Sequence, residues 1–222
     1  MEFSTTPIKL SSNYIHINTE FGRFFISASN SKVAVPIVSA GTAENCPNID
    51  ICPFSHINYK ATGYPLCYAY KAERLYPSVR NARLNNEQIL KTIYEKYGND
   101  GLKVFGDYAA IHLTTLCRLK GMKYVRINES SDLSDWNFAF FVELTYALKK
   151  NKITTYGYTK SGKLMAEELE SFGAKIMTSE SDFIVVKSVQ EANDRNLKVC
   201  PGIGCGTSCL RCPKKLITAA LS

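Results

Sequence analysis

The sequence predicts an α/β fold, a partial (β/α) barrel-like parallel sheet with a cysteine-rich C-terminal loop, and three observations predict it. Strand-like and helix-like segments alternate from residue 124 onward, the order that builds a parallel sheet with helices packed on it. Three polar loops, Asn128–Asp132, Tyr158–Lys160 and the tail after Val199, follow predicted strands, where α/β folds collect their working residues. Four cysteines lie between positions 200 and 212 in a stretch rich in glycine.

In chain order, Phe24–Ala28 and Val33–Ser39 are apolar, β-branched runs that read as strands, with Pro36 marking an edge or an end. From Tyr68 to about Tyr97 the pattern turns helical, as two helices broken around Pro77. Asp107 is placed to cap a further helix through Leu119, which Gly121 would end. A short strand, Tyr124–Ile127, precedes the first polar loop. Asp135 then caps a helix through Lys150, with Trp136, Phe140, Phe141, Leu144 and Leu148 on one broad face. Ile153–Gly157 is a strand and Gly162–Phe172 a helix ending at Gly173. Lys175–Met177 and Phe183–Lys187 are strands, Val189–Asn196 a short helix, and Lys198–Val199 a last strand running into Cys200. No linker or low-complexity stretch interrupts residues 1–222, so they read as a single domain.

At 222 residues the chain can bury a full core without covalent staples. The N-terminus lacks the basic start and apolar stretch of a signal peptide, and no run approaches the roughly 20 apolar residues that span a bilayer. The expectation is a cytoplasmic protein with no membrane partner. In that reducing compartment eight cysteines point to metal or chemistry rather than disulfides. Walker loops, dinucleotide fingerprints, serine nucleophile elbows and zinc-protease helices are all missing.

The net charge of +7 is uneven. Residues 60–126 hold 12 Lys/Arg against 5 Asp/Glu, residues 127–197 hold 8 against 11, and residues 198–222 add four basic residues and no acid. A basic middle and tail suits phosphate, and Arg74, Arg80, Arg83, Lys91 and Lys96 interleave with Tyr70, Tyr76 and Tyr94 in a way that can meet nucleic acid. A solvated surface on an ordinary basic protein gives the same pattern.

The cysteines fall into two groups, Cys46, Cys52 and Cys67, then Cys200, Cys205, Cys209 and Cys212. Cys117 sits among Leu113, Leu116 and Leu119 and reads as a small buried hydrophobe. Each iron of a cubane takes one terminal thiolate, and Gly/Pro-rich loops let the chain wrap such a cluster and turn N–H donors towards its sulfides. The expectation is one or two [4Fe–4S] clusters. The alternative for the tail is zinc in an all-thiolate site, for which only Cys209 and Cys212 have the usual Cys-x2-Cys spacing. Asn128, Asp132 and Lys160 are the candidate cofactor-binding positions. Acidic residues before a helix are also ordinary caps, while Lys160 before a helix N-terminus suits an anion. Of the three histidines, only His56 lies between first-group cysteines.

At these residues the chain resembles a family of phage proteins, the gene product 88 family. Cys46-Pro, Cys52, Cys67-Tyr-Ala and the stretch from Tyr76-Pro to Arg80, Arg83 and Asn85 look like its front. Arg126–Leu133 and Tyr156–Ser161 are similar to its middle motifs, and the closing cysteine run is similar to its C-terminus. The resemblance implies an iron–sulfur protein of viral type without an assigned reaction. The layout also looks like a distant relative of radical-SAM barrels, which implies three cysteines holding a cluster whose fourth iron is chelated by S-adenosylmethionine. It departs from that pattern in its cysteine gaps of 5 and 14 residues and in having no Gly-Gly-Glu-type motif after the second strand. Cysteine arithmetic leaves an open first cluster with a second metal in the tail, or a tail that folds back to complete the first.

Overall fold

A computed structural model describes residues 3–5, 14–29, 34–52, 55, 57, 67–178, 185–186, 189–196 and 219–220. The second cysteine group, His56 and the expected strand at Lys198–Val199 lie outside the described residues.

Seven strands form one open sheet in sequential order: β1 (Phe3–Thr5), β2 (Tyr14–Thr19), β3 (Gly22–Ser27), β4 (Ile37–Val38), β5 (Tyr124–Ile127), β6 (Thr154–Thr159) and β7 (Lys175–Thr178). The pairs from β1 to β4 are antiparallel and those from β4 to β7 parallel. This corrects the expectation of a parallel sheet for its first half. β2 and β3 are joined by a tight hairpin at Gly22, whose φ of 131° suits a residue without Cβ, and a hairpin imposes antiparallel pairing. β8 (Val185–Val186) and β9 (Ala219–Ala220) make a separate parallel pair.

The helices are α1 (Tyr68–Leu75), α2 (Pro77–Leu119), α3 (Asp135–Lys150), α4 (Lys163–Ser171) and α5 (Val189–Asp194). The break expected at Pro77 is present, with Pro at the first turn of α2, where its missing N–H costs nothing. Asp107 caps nothing. It lies inside α2, whose single interruption is Gly98, at φ 63° and ψ −157°, a conformation that only glycine holds without strain. The cap of α3 is Ser134 rather than Asp135, and its backbone N–H donates to Asn137 Oδ1 at 3.0 Å. Gly121 and Gly173, both at positive φ, follow the ends of α2 and α4 as expected.

One core unites these elements. Phe24 and Ile26 of β3, Val38 of β4, and Val125 and Ile127 of β5 point to one face of the sheet. There they meet Leu102, Phe105, Ala109, Leu113 and Leu116 of α2, Phe140, Phe141 and Leu144 of α3, and Ala166 and Leu169 of α4. Two glycines permit the closest approaches. A Cβ on Gly106 would come within 2.7 Å of the Phe140 carbonyl, and one on Gly157 within 2.8 Å of the Ile127 carbonyl. Strand alternation sends Phe25, Ser27 and Arg126 to the opposite face.

At the seam between the two halves of the sheet, β3 and β4 pair through one residue couple, Ser27 with Ile37. A side chain stands in for the missing ladder. Asn86 of α2 is buried, its Oδ1 accepts from the Phe25 N–H at 2.7 Å, and its Nδ2 donates to the carbonyls of Phe25 at 2.8 Å and Ser39 at 2.9 Å.

Cys117 is fully buried in this core, and burial pushes its thiol up to about 11 from 9.0. The folded state therefore keeps a proton that the unfolded chain loses above pH 9, so this residue's contribution to stability is intact below pH 9 and falls as pH rises towards 11. Urea unfolding of wild type and Cys117→Ala across pH 8 to 11 is expected to show a wild-type loss on the order of 2 kcal/mol that the variant lacks. Parallel profiles would contradict this.

Candidate metal and ligand site

β4 ends at Val38 and its chain continues as Ser39 to Asn45 into the first cysteine group. β5 ends at Ile127 and continues as Asn128 to Ser134. β6 ends at Thr159 and continues as Lys160 to Gly162. Because β4, β5 and β6 are parallel, these three loops emerge at one end of the strands. The loops after β5 and β6 were expected there, the one after β4 was not, and the expected third, the tail after Val199, lies outside the described residues.

Buried polar groups weld the loops together. Both carboxylate oxygens of Glu73, on α1, accept from the Ala43 N–H at 3.0 and 3.1 Å, and Oε1 also takes the Ser130 hydroxyl at 2.7 Å and Arg83 Nη1 at 2.9 Å. The other arm of Arg83 reaches Glu129 Oε2 at 3.0 Å. Glu87 of α2 accepts from the Thr42 N–H and hydroxyl and from Asn45 Nδ2, and pairs with Lys91 at 2.7 Å.

Asp132 ties the cysteine loop to the strand ends. Its Oδ1 accepts from the Leu133 N–H at 2.8 Å and the Thr159 hydroxyl at 2.5 Å, while its Oδ2 accepts from Asn48 Nδ2 at 2.9 Å and the Lys160 N–H at 2.7 Å. Asn48, between Cys46 and Cys52, also donates to Ser161 Oγ at 2.8 Å. With four donors on its oxygens, Asp132 acts as a structural tie. Lys160 takes part in that tie through its backbone.

Asn128 is different. It stands at φ 49° with Ser131 at φ 64° in the same loop, both in the left-handed region. Asn128 Oδ1 accepts from the Ala40 N–H at 3.4 Å. Asn128 Nδ2 and Ser131 Oγ are buried and have no partner among the described residues. Ser131 Oγ faces Gly41, where an added Cβ would stand 3.0 Å from it and 3.1 Å from Glu87 Oε2. Unsatisfied donors on a strained loop mark a place where a bound group can complete the hydrogen bonding.

The first three cysteines are half-buried and gather against this frame. Burial pushes the Cys46 thiol up to about 12 from 9.0, the Asp132 carboxylate and the Cys52 and Cys67 sulfurs add to the rise, and an N–H from Asn48 opposes it. Cys67, at the N-cap of α1, is raised mainly by burial and further by Cys52 and Glu73, against N–H groups of Tyr70 and Ala69. The Cys52 sulfur thus bears on both Cys46 and Cys67, and that of Cys67 on Cys46, each disfavouring the neighbouring thiolate. Among the described residues no group of three or more His, Cys, Asp or Glu side chains is arranged to hold a single metal ion. His16 lies on β2 beside Phe25, and His112 packs on Tyr108 within α2.

The helical stretch expected to offer a basic face is largely neutralised. Arg80 pairs with Glu44, Arg83 with Glu73 and Glu129, Lys91 with Glu87 and Lys96 with Glu20. Cation counts along a sequence do not register carboxylates supplied by other segments. Glu73 and Glu87, the two carboxylates that brace the cysteine loop, escaped sequence reasoning. Their one signal was a charged residue on a helix face otherwise bound for the core.

The family model for Gene product 88 matches residues 18–208. No curated protein and no solved structure matches the chain. Among the described residues no helix is long and apolar enough to cross a membrane.

Two variants test the frame by urea denaturation. Arg83→Ala leaves the Glu73 carboxylate buried without its cation and is expected to cost about 3 to 5 kcal/mol. Asp132→Ala strips the acceptor from four donors, and we expect a loss of about 3 kcal/mol with faster alkylation of Cys46 as its loop comes free. Wild-type stability in either variant would show that the frame does not hold the loop.

Proposed function

Starting from a chain that belongs to the Gene product 88 family of phage proteins, we propose that it binds an iron–sulfur cluster through Cys46, Cys52 and Cys67 in the reducing cytoplasm. The observation that carries this reading is that Cys46, Cys52 and Cys67 are all half-buried, with burial raising Cys46 and Cys67, where Glu73, Glu87 and Asp132 brace the chain that enters the cysteine group. As thiolates they repel, and the positive charge of a bound metal would offset that repulsion and keep its ligands deprotonated. A single zinc ion needs its ligands converged at about 2.3 Å in a tetrahedron. A cubane spreads its thiolates over separate irons, so its ligands need not converge on one point. When bound, the cluster supplies one-electron chemistry or a structural link, and the cysteines fix its place at the strand ends.

Cys200, Cys205, Cys209 and Cys212 are the further ligands in this proposal, either completing the first cluster or holding a second metal, zinc being the alternative occupant. Contact with nucleic acid would fall to the basic tail and to cations of the middle other than Arg80, Arg83, Lys91 and Lys96, which are in ion pairs.

A second reading, a radical-SAM-like enzyme, has one arrangement in its favour. Parallel β4, β5, β6 and β7 follow in sequential order, and α2, α3 and α4, which connect them, all contribute to one core, as in a segment of a (β/α) barrel. The first cysteine group and Asn128 lie at the strand ends where such a barrel works.

Protein purified without oxygen should carry about four irons and four acid-labile sulfides per cluster, with visible absorption that Cys46→Ser, Cys52→Ser and Cys67→Ser each diminish. Colourless protein with zinc alone, refusing reconstitution with iron and sulfide, would overturn the cluster. A spectrum altered by S-adenosylmethionine, with reductive cleavage of that cofactor, would establish the second reading.

A further inference from the structure

Beyond the cysteines, a cleft of about 820 Å³ opens on the face of the sheet opposite the core, between β2, β3, β4 and β5 on one side and α1 with the start of α2 on the other. Its volume is that of a small-molecule site. Its lining includes Ser27 and Ile37, the one residue couple through which β3 and β4 pair.

The lining is chemically selective. Tyr14, Tyr68 and Tyr76 contribute rings and are 39%, 52% and 59% exposed. Between them lie Lys71, Arg83 and Arg126 against one lining carboxylate, Glu129. Arg83 is consumed by Glu73 and Glu129. Lys71 is exposed and has no ion pair among the described residues. Arg126 is held in place from three sides: Nη2 donates to Tyr68 Oη at 3.0 Å, Nη1 stands 3.7 Å from Glu129 Oε1, and the guanidinium lies 5.7 Å over the Tyr158 ring. Its side chain is only 12% exposed, and its Nε is buried with no partner among the described residues. A guanidinium fixed in the wall of a cleft is a pre-organised anion site, and tyrosine faces beside it accept a planar ring.

We infer that this cleft binds a mononucleotide, with Arg126 and Lys71 on the phosphate and the base stacked on tyrosine, Tyr76 foremost. The site is separate from the cysteine chemistry, although Cys67 and Tyr68 are consecutive at the start of α1.

Titration calorimetry of the full chain with adenosine monophosphate, adenosine and inorganic phosphate tests it. Saturable binding of the monophosphate is expected, with each half-ligand at least about tenfold weaker. Tyr76→Ala should weaken binding about tenfold, and Lys71→Ala should weaken it and reduce its salt dependence. Arg126→Gln should abolish it while circular dichroism confirms the fold. Because Tyr76 and Lys71 are exposed, their variants keep the test decisive even if Arg126→Gln does not fold. No binding at about millimolar nucleotide, phosphate or adenosine binding as tightly as the whole, or wild-type affinity in the Tyr76 and Lys71 variants would each overturn the assignment.

Discussion

The loops at the working end of the sheet are organised around a carboxylate almost wholly withdrawn from water. Glu73 is 2% exposed, yet it joins four segments: its own helix, the Ala43 backbone after β4, Arg83 on α2 and Ser130 after β5. A buried charge is costly unless it is fully paired and hydrogen-bonded. Here the Ala43 N–H, the Ser130 hydroxyl and Arg83 together offset that cost. Arg83 extends the tie to Glu129, and Asp132 repeats the device one step further along, on the loop that carries Asn48. The cysteine group is consequently positioned by ionic and amide contacts, with little apolar burial of its own.

The elements most legible in the sequence are those whose periodicity is decided by the core. β5 was readable to the residue, and α3 nearly so, because Val125, Ile127, Phe140, Phe141 and Leu144 all face one hydrophobic cluster. β2 was not legible, since Tyr-Ile-His-Ile-Asn-Thr has only two buried apolar side chains, Ile15 and Ile17, and its strand character comes from pairing with β3. The continuity of α2 was equally hidden. Asp107 resembles a cap, and a helix that crosses Gly98 in a glycine-only conformation reads locally as two. In both cases tertiary contacts override the local signal.

The site divides in the same way. Cysteine spacing and strand-end loops are local patterns, and they pointed to Cys46, Cys52, Cys67, Asn128 and Asp132. What each does there is non-local. Asp132 suggested a ligand-facing acid, and its oxygens are occupied by Leu133, Thr159, Asn48 and Lys160. Arg126 was noticed only as the start of a motif, and its importance rests on Tyr68 and Glu129 closing around it. Spacing announces which residues come to a site, and the partners that set their chemistry arrive from elsewhere in the chain.

The amide of Asn86 gives the seam of the sheet a meaning of its own. A continuous backbone ladder between β3 and β4 would have zipped the strands shut, since each added pair draws the next into register. By ending the ladder after one pair and supplying a single side chain to the Phe25 and Ser39 backbone, the fold keeps an aperture in a structure whose ordinary tendency is to close. The space beside the seam is then bounded by where the strands stop pairing as well as by the side chains that line it, so strand register shapes the cleft's outline.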